Sequence, residues 1–579
     1  MSHNSYRRKG LTTMIKLKTR FTPGTRPLNE HPTPQFRRSS YLNLNGIWDY
    51  GSAPLNETIV YNKKILVPFS PESDLSGVGE ILTPEMHASY RLVFDLPEGF
   101  NRGRHILHFG AVDEYADVIL NGTAVCTHEG GNLPFHADVT APIKEKGNVL
   151  TVNVRDTLGK SGFGYGKQKL ERGGIWYTPH SGIWQTVWLE TVPEEYIRSV
   201  QITPHVENGT VTVRVNAPHD VEVTLRRGTF EFAYGKTESG TLTLNVPSPR
   251  LWTPEDPFLY DIDLKLGKDE VQSYFAMRSF GRTVYNGKVV FALNGKPYFL
   301  CGLLDQGYYP DGLFTPPSDE AMINDIETVK RMGFNMLRKH IKVEPDRWYY
   351  HCDRLGVIVI QDMVNGGVNL PMQNVVLPFV GVPVNDTKNY KKAGREDPSN
   401  RRRAEAEMMQ TVEWLYNHPS IAVYTVFNEG WGQFDSVRIT KSLEMIDSTR
   451  LYDSASGWHD QGGGHFQSKH IYFKPLKAKA DDRILSLSEC GGFGYAVAGH
   501  TTGASFGYTT CPTADKLLDK LTKLFAEAGA LMAKEGLSVL VYTQLTDVED
   551  EINGLMTYDR LEKLPAATLR SLTGMLRFK

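Results

Sequence analysis

Hydrophobic and polar positions change rhythm twice along the chain. From Tyr41 to Val192 short runs such as Ser89 to Phe94, Arg104 to Phe109 and Val149 to Val154 alternate and are broken by Gly, Asn, Pro and Asp. Period-two alternation punctuated by turn residues predicts strands with one buried face. Tryptophans recur at 176, 184 and 188, and the block predicts a jelly-roll β-sandwich. A second β block, with Val211, Val213 and Val215, then Val221, Val223 and Leu225, then Leu242, Leu244 and Val246, has the size of an immunoglobulin-like sandwich.

After Tyr285 strands alternate with helical patterns, the mark of βα units. Eight strands are predicted at Tyr298 to Leu304, Phe334 to His340, Val357 to Asp362, Ile421 to Phe427, Leu451 to Ser456, His470 to Phe473, Ile484 to Ser488 and Ser538 to Thr543. Ser318 and Pro345 open two of the intervening helices, and Gly333 and Gly356 stop them. Eight such units make a (β/α)8 TIM barrel. The expected organisation is an extension at 1–37, a jelly-roll domain at 38–194, an immunoglobulin-like domain at 195–284 and the barrel at 285–579.

Candidate chemistry lies at two strand ends. Ile421 to Gly432 reads IAVYTVFNEGWG, a buried run ending in Asn428-Glu429 before two glycines. Ile484 to Gly492 reads ILSLSECGG and repeats the pattern with Glu489. Barrels keep their chemistry at the carboxyl ends of their strands. The alternative for each residue is an acid opening the next helix, where carboxylates are favoured. Paired carboxylates are what glycoside hydrolysis needs: one protonated to donate to the leaving oxygen, one ionised to attack the anomeric carbon or activate water.

Composition narrows the partners. The 579 residues carry a formal net charge of -2 and 40% apolar residues, so no global field favours nucleic acid or an anionic membrane. The basic clusters Arg7-Arg8-Lys9 and Arg401-Arg402-Arg403 are local. Five cysteines without CxxC spacing point to reduced thiols rather than disulfides or a zinc site. No signal-peptide core and no run of 18 apolar residues is visible, so a cytoplasmic location is expected.

The motifs SGIWQTVWLE, LNGKPYFLCG, GFNMLRKH, HPSIAVYTVFNE and SECGG together resemble glycoside hydrolase family 2, the family of β-galactosidases, β-glucuronidases and β-mannosidases. The resemblance covers the chain from Arg38 onward and implies Glu429 as acid/base with Asn428 beside it, Glu489 as nucleophile, and retention of configuration. It sets Tyr472 to hold the nucleophile and Trp458 as an aromatic platform for the sugar. Asp305, Gln306, Arg338, His340, Asp362 and His470 stand at other strand ends as substrate-binding candidates, although Arg338 and His340 suit structural roles equally well.

Two departures bear on the substrate. The metal-dependent β-galactosidases of the family carry a Glu-x-His pair after strand three, where this chain has VNGGVN from Val364 to Asn369, so no metal or other cofactor is expected. The β-glucuronidases carry Asn-x-Lys after strand eight, and the nearest stretch here is Asn553-Gly554-Leu555; TQLTD from Thr543 to Asp547 also stands where many members have tryptophans. The expected function is therefore a retaining exo-β-glycosidase for a glycoside or oligosaccharide, with a β-galactoside favoured. A β-glucuronidase, β-mannosidase or α-L-arabinopyranosidase of the same family, and a non-catalytic carbohydrate-binding protein, are the alternatives, and homo-oligomer formation stays open.

Overall fold

The computed structural model describes residues 16–100, 103–368, 385–503 and 505–578. Arg7-Arg8-Lys9 and Asn369 lie outside them. In the first sandwich a four-stranded sheet (Tyr41–Asn43, Val187–Val192, Arg104–Phe109, Phe135–Asp138) faces a six-stranded one built around Gly46–Pro54, Met86–Phe94 and Asn148–Arg155. Their inner faces share one core that includes Trp48, Tyr50, Phe109 and Leu189. In the second, a sheet of Ser199–His205, Thr210–Asn216 and Thr241–Asn245 packs on four strands ending at Asp269–Phe275.

The barrel strands are Leu300–Asp305, Met336–Lys339, Ile358–Asp362, Ile421–Thr425, Leu451–Asp453, Phe466–Ile471, Ile484–Cys490 and Val539–Tyr542. They are parallel in the order five, four, three, two, one, eight, seven, six. The seam between five and six is closed by the His465 amide on the Tyr452 carbonyl at 2.7 Å and the Tyr452 amide on His465 Nδ1 at 3.0 Å. Strand six begins at Phe466, four residues before the predicted start (470 minus 466). Its inward residues Phe466, Ser468 and His470 alternate with outward Gln467, Lys469 and Ile471, so no apolar run announces it.

The amino-terminal end of the barrel is plugged. Trp252 of the second sandwich, with Phe291 and Leu293 of the hairpin strand Lys288–Leu293, packs against the inward side chains Leu300, Leu304, Met336 and Ile358. The Trp252 indole N–H donates to the Asp353 carbonyl at 2.7 Å. With that end filled by side chains, the open end is the carboxyl end of the strands, where both sequence glutamates fall.

Replacing Trp252 with Ala empties a fully buried site, at a cost of about 3–5 kcal/mol for a large aromatic. The expected outcome is a clear fall in the thermal unfolding midpoint; a midpoint within about 1 °C of wild type would contradict the role of this plug.

Candidate active site

Barrel strand two carries Arg338 into the centre of the open end, fully buried. Its Nε donates to Asp362 Oδ1 at 2.9 Å, Nη1 to the Ser488 carbonyl at 2.9 Å and to Glu489 Oε1 at 3.0 Å, and Nη2 to Asn428 Oδ1 at 2.9 Å. One guanidinium thus ties the ends of strands three and seven to the loop after strand four. The second oxygen of Asp362 takes His340 Nδ1 at 2.8 Å.

Glu489 is buried at the end of strand seven, and its Oε2 accepts from the Tyr472 hydroxyl. Tyr472 is fixed in turn by Tyr508, stacked on it at 4.0 Å between ring centroids. Burial works against the Glu489 carboxylate, but the charges of His470, Arg338 and His340 and the Tyr472 hydrogen bond outweigh it and hold the group well below the usual carboxylate range. Burial also pushes the His340 imidazole towards neutrality, which leaves the Arg338 guanidinium as the permanent positive charge bonded to Glu489.

Glu429 lies beyond the end of strand four with φ of 51°, in the left-handed region. Its amide donates to the Ser456 carbonyl at 2.9 Å, and the Asn428 amide donates to Asn365 Oδ1 at 2.7 Å. The glycines after it are required by space as well as backbone. A Cβ on Gly432 would stand 1.7 Å from the Gly366 carbonyl oxygen, and one on Gly430 would stand 2.2 Å from the His459 ring. His470 bridges the two glutamates, with Nδ1 2.8 Å from Glu429 Oε1 and Nε2 3.6 Å from Glu489 Oε1. Its Nε2 also lies 3.0 Å from Ser456 Oγ, which donates to Ser488 Oγ at 2.9 Å.

The structure therefore brings Glu429, Glu489, Asn428, Arg338, His340, Asp362, His470 and Tyr472 together. Trp458 stands edge-on to His470 at 5.3 Å, half-buried. Asp305 stands apart from this group: its two oxygens take Lys339 Nζ at 2.6 Å and the Gly307 amide at 2.9 Å. Gln306 turns to Gln544, 2.8 Å away. From there a buried polar chain runs through Asn553 (2.8 Å) to Glu551 (2.9 Å), whose other oxygen accepts from the Tyr177 hydroxyl of the first sandwich. Ligand atoms of Glu429, His470 and Glu489 lie within 4.8 Å of one another, as do those of Asp113, Glu114 and Asp156 in the first sandwich, so each group has the spacing to hold a cation.

Sequence reasoning missed Ser456, Asn365, Tyr508 and above all the sandwich loop at 157–181. That loop reaches barrel residues beyond strands three, four and eight. The Gly166 amide donates to the Asn365 carbonyl at 3.0 Å, Trp176 stacks on Trp431 at 5.0 Å between centroids, and the Thr178 amide donates to Glu549 at 3.1 Å. The only trace of it in the sequence is a glycine- and tryptophan-rich stretch too irregular for a strand.

Three family profiles match the chain in order: "Glycosyl hydrolases family 2, sugar binding domain" over residues 74–193, "Glycosyl hydrolases family 2" over 195–278, and "Glycosyl hydrolases family 2, TIM barrel domain" over 288–468. A β-galactosidase from Halalkalibacterium halodurans is 24% identical over 401 residues, 64% of this chain and 36% of its own length. A β-glucuronidase from Mus musculus is 26% identical over 358 residues, 56% of this chain and 51% of its own length. The chain thus spans about a third to a half of these curated relatives. The structure of β-D-glucuronidase from Dictyoglomus thermophilum superposes with a TM-score of 0.74 at 18% identity, covering 94% of this chain and 99% of that one, a likeness of fold. On its architecture and on the three consecutive profiles, the chain belongs to glycoside hydrolase family 2.

Proposed function

We propose that this chain is a retaining exo-β-glycosidase in which Glu489 is the nucleophile and Glu429 the acid/base. The observation that carries the reading is the pair itself: two carboxylates whose nearest ligand atoms, with His470 between them, fall within 4.8 Å, one of them held ionised. Retaining enzymes set the two carboxyl groups about 5–5.5 Å apart, and inverting ones leave about 6.5–9.5 Å for a water.

In the first step Glu489 attacks the anomeric carbon while the bond to the leaving oxygen breaks and Glu429 gives that oxygen its proton. In the second, Glu429 takes a proton from water, which displaces Glu489 and restores both groups. In this reading Asn428, which Arg338 orients, bonds the sugar's 2-hydroxyl, where a hydrogen bond strengthens as positive charge develops on the ring. The sandwich loop closing on the barrel mouth favours a pocket for a terminal sugar over an open cleft for a polymer.

The barrel's own strand ends suit an uncharged glycone such as β-galactoside. Among the described residues its buried lysines face carboxylates, Lys339 on Asp305 and Glu344, Lys342 on Glu344 and Lys563 on Asp547, as does Arg560 on Asp325, while the buried Arg395 donates to the Gly162 and Gly432 carbonyls. The second reading differs only at C6, a carboxylate in place of the hydroxymethyl group, and one lysine outside the barrel favours it.

A 2-deoxy-2-fluoro glycoside of an accepted sugar should label Glu489, read by mass spectrometry of peptides, and Glu489→Ala should lose turnover while keeping its fold. A label on Asp362 or Glu429 would overturn the assignment. Glu429→Ala should retain activity on aryl glycosides with very good leaving groups and lose it on natural ones, with added azide trapped as the β-glycosyl azide. Equal loss on both substrate types without rescue would make Glu429 structural.

Because the Glu489 pKa is depressed in the folded protein, the ionised form persists until the pH falls far below the usual carboxylate range. Tyr472→Phe removes a donor to that carboxylate, so the acid limb of kcat/KM should move to higher pH. The rate should fall about 10–100-fold, the equivalent of about 1.5–3 kcal/mol for a hydrogen bond to a charged group. An acid limb that stays in place would show that Tyr472 does not hold the nucleophile.

A further inference from the structure

Lys167 differs from every buried cation of the barrel named above. It sits on the sandwich loop and is 7% exposed, and among the described residues its ammonium makes no hydrogen bond or ion pair. Its Nζ stands over the face of the Tyr177 ring, 5.5 Å from the centroid. The backbone around it is tightly placed. Its carbonyl accepts from the Tyr177 amide at 3.0 Å, and the Gly166 amide before it donates to Asn365, the residue whose side chain holds Asn428. Gly166 has φ of 63°, and a Cβ there would stand 3.1 Å from the carbonyl oxygen of Ile341, the neighbour of His340. The loop thus delivers Lys167 to the ends of barrel strands two and three. Its charge is felt by the His340 imidazole, adding to the burial that lowers the pKa of this ring. His340 bonds Asp362, and Asp362 bonds Arg338, so the ammonium stands next to the group that surrounds the two glutamates.

An ammonium on a side chain this buried, with no counter-charge among the described residues, is unfavourable, and a neutral hydroxyl compensates it poorly. The carboxylates bonded to Arg338 are already engaged: Asp362 by Arg338 and His340, and Glu489 by Arg338 and Tyr472. What would balance Lys167 must therefore arrive with the ligand.

We propose that Lys167 is the specificity-determining residue of the glycone pocket, its ammonium pairing with a carboxylate on the sugar, so that the preferred substrates are β-linked hexuronic acids. This rests on the reading of Glu429 and Glu489 as the catalytic pair. The charge that selects the acid comes from the first sandwich, so the pocket is complete only with the 157–181 loop seated on the barrel.

The test uses the full chain and matched 4-nitrophenyl substrates: β-galactoside with β-galacturonide, and β-glucoside with β-glucuronide. Wild type should favour the acid of at least one pair in kcat/KM by about 100-fold, and Lys167→Met should shrink that acid-to-neutral ratio by a similar factor, the scale for truncating one partner of a buried charge pair. Lys167→Arg should keep part of the preference. If Lys167→Met fails to melt cooperatively, product inhibition of wild type takes its place: the free uronate should bind more tightly than the neutral sugar, with a gap that narrows as salt rises. Preference for the neutral member of both pairs, or a Lys167→Met ratio equal to wild type, would overturn the proposal, as would equal inhibition by uronate and neutral sugar. Labelling of Glu489 by a neutral 2-fluoro sugar but not by its acid would sink the role of Lys167 and leave the catalytic pair standing, whereas no labelling of Glu489 by either would sink the pair.

Discussion

The buried guanidinium of Arg338 is the constraint on which the rest of the site depends. It supplies donors to Asp362, to the Ser488 carbonyl, to Glu489 and to Asn428, so three separate chain segments take their positions from one side chain. A lysine would present a point charge without the planar fork that reaches several acceptors at fixed angles. Removing one partner of a buried ion pair costs about 3–5 kcal/mol because the charge left behind is uncompensated. Arg338 therefore stabilises the open end of the barrel and sets the ionisation of Glu489 through the same contacts.

Around this centre the two glutamates stand in different environments. Glu489 lies in a strand, buried, between a guanidinium and a tyrosine hydroxyl, an arrangement that favours the anion. Glu429 sits in a left-handed turn after its strand, less buried, with His470 Nδ1 against one of its oxygens. The turn holds because Asn365 and Ser456 take the amides of Asn428 and Glu429, and Asn365 also carries the sandwich loop on its carbonyl. A fold contact between domains and the placement of Glu429 thus share one asparagine. The buried chain from Gln306 through Gln544, Asn553 and Glu551 to Tyr177 makes a second tie of the same kind, after strand eight.

The two strand-end motifs were legible in the sequence because parallel strands buried on both faces read as continuous apolar runs, and a carboxylate beside glycines ends such a run visibly. Strand six was misplaced because its inward Ser468 and His470 are polar and interrupt the pattern. Arg338 was found as a candidate, but whether it pairs structurally or serves the site was open; four contacts to three segments cannot be inferred from spacing along one strand. Asp305 looked like a sugar ligand at a strand end and is instead closed off by Lys339, 34 residues away in sequence but adjacent in register on the next strand. The 157–181 loop was least legible, since its role exists only where two domains meet.

The stereochemistry of the first product tests the central claim most directly. Proton NMR of the reaction as it starts, on whichever β-glycoside the chain hydrolyses, resolves the α and β anomers before mutarotation mixes them. Double displacement between Glu489 and Glu429 predicts that the β anomer of the free sugar appears first. First appearance of the α anomer would contradict the account, because it requires water rather than Glu489 to attack the anomeric carbon.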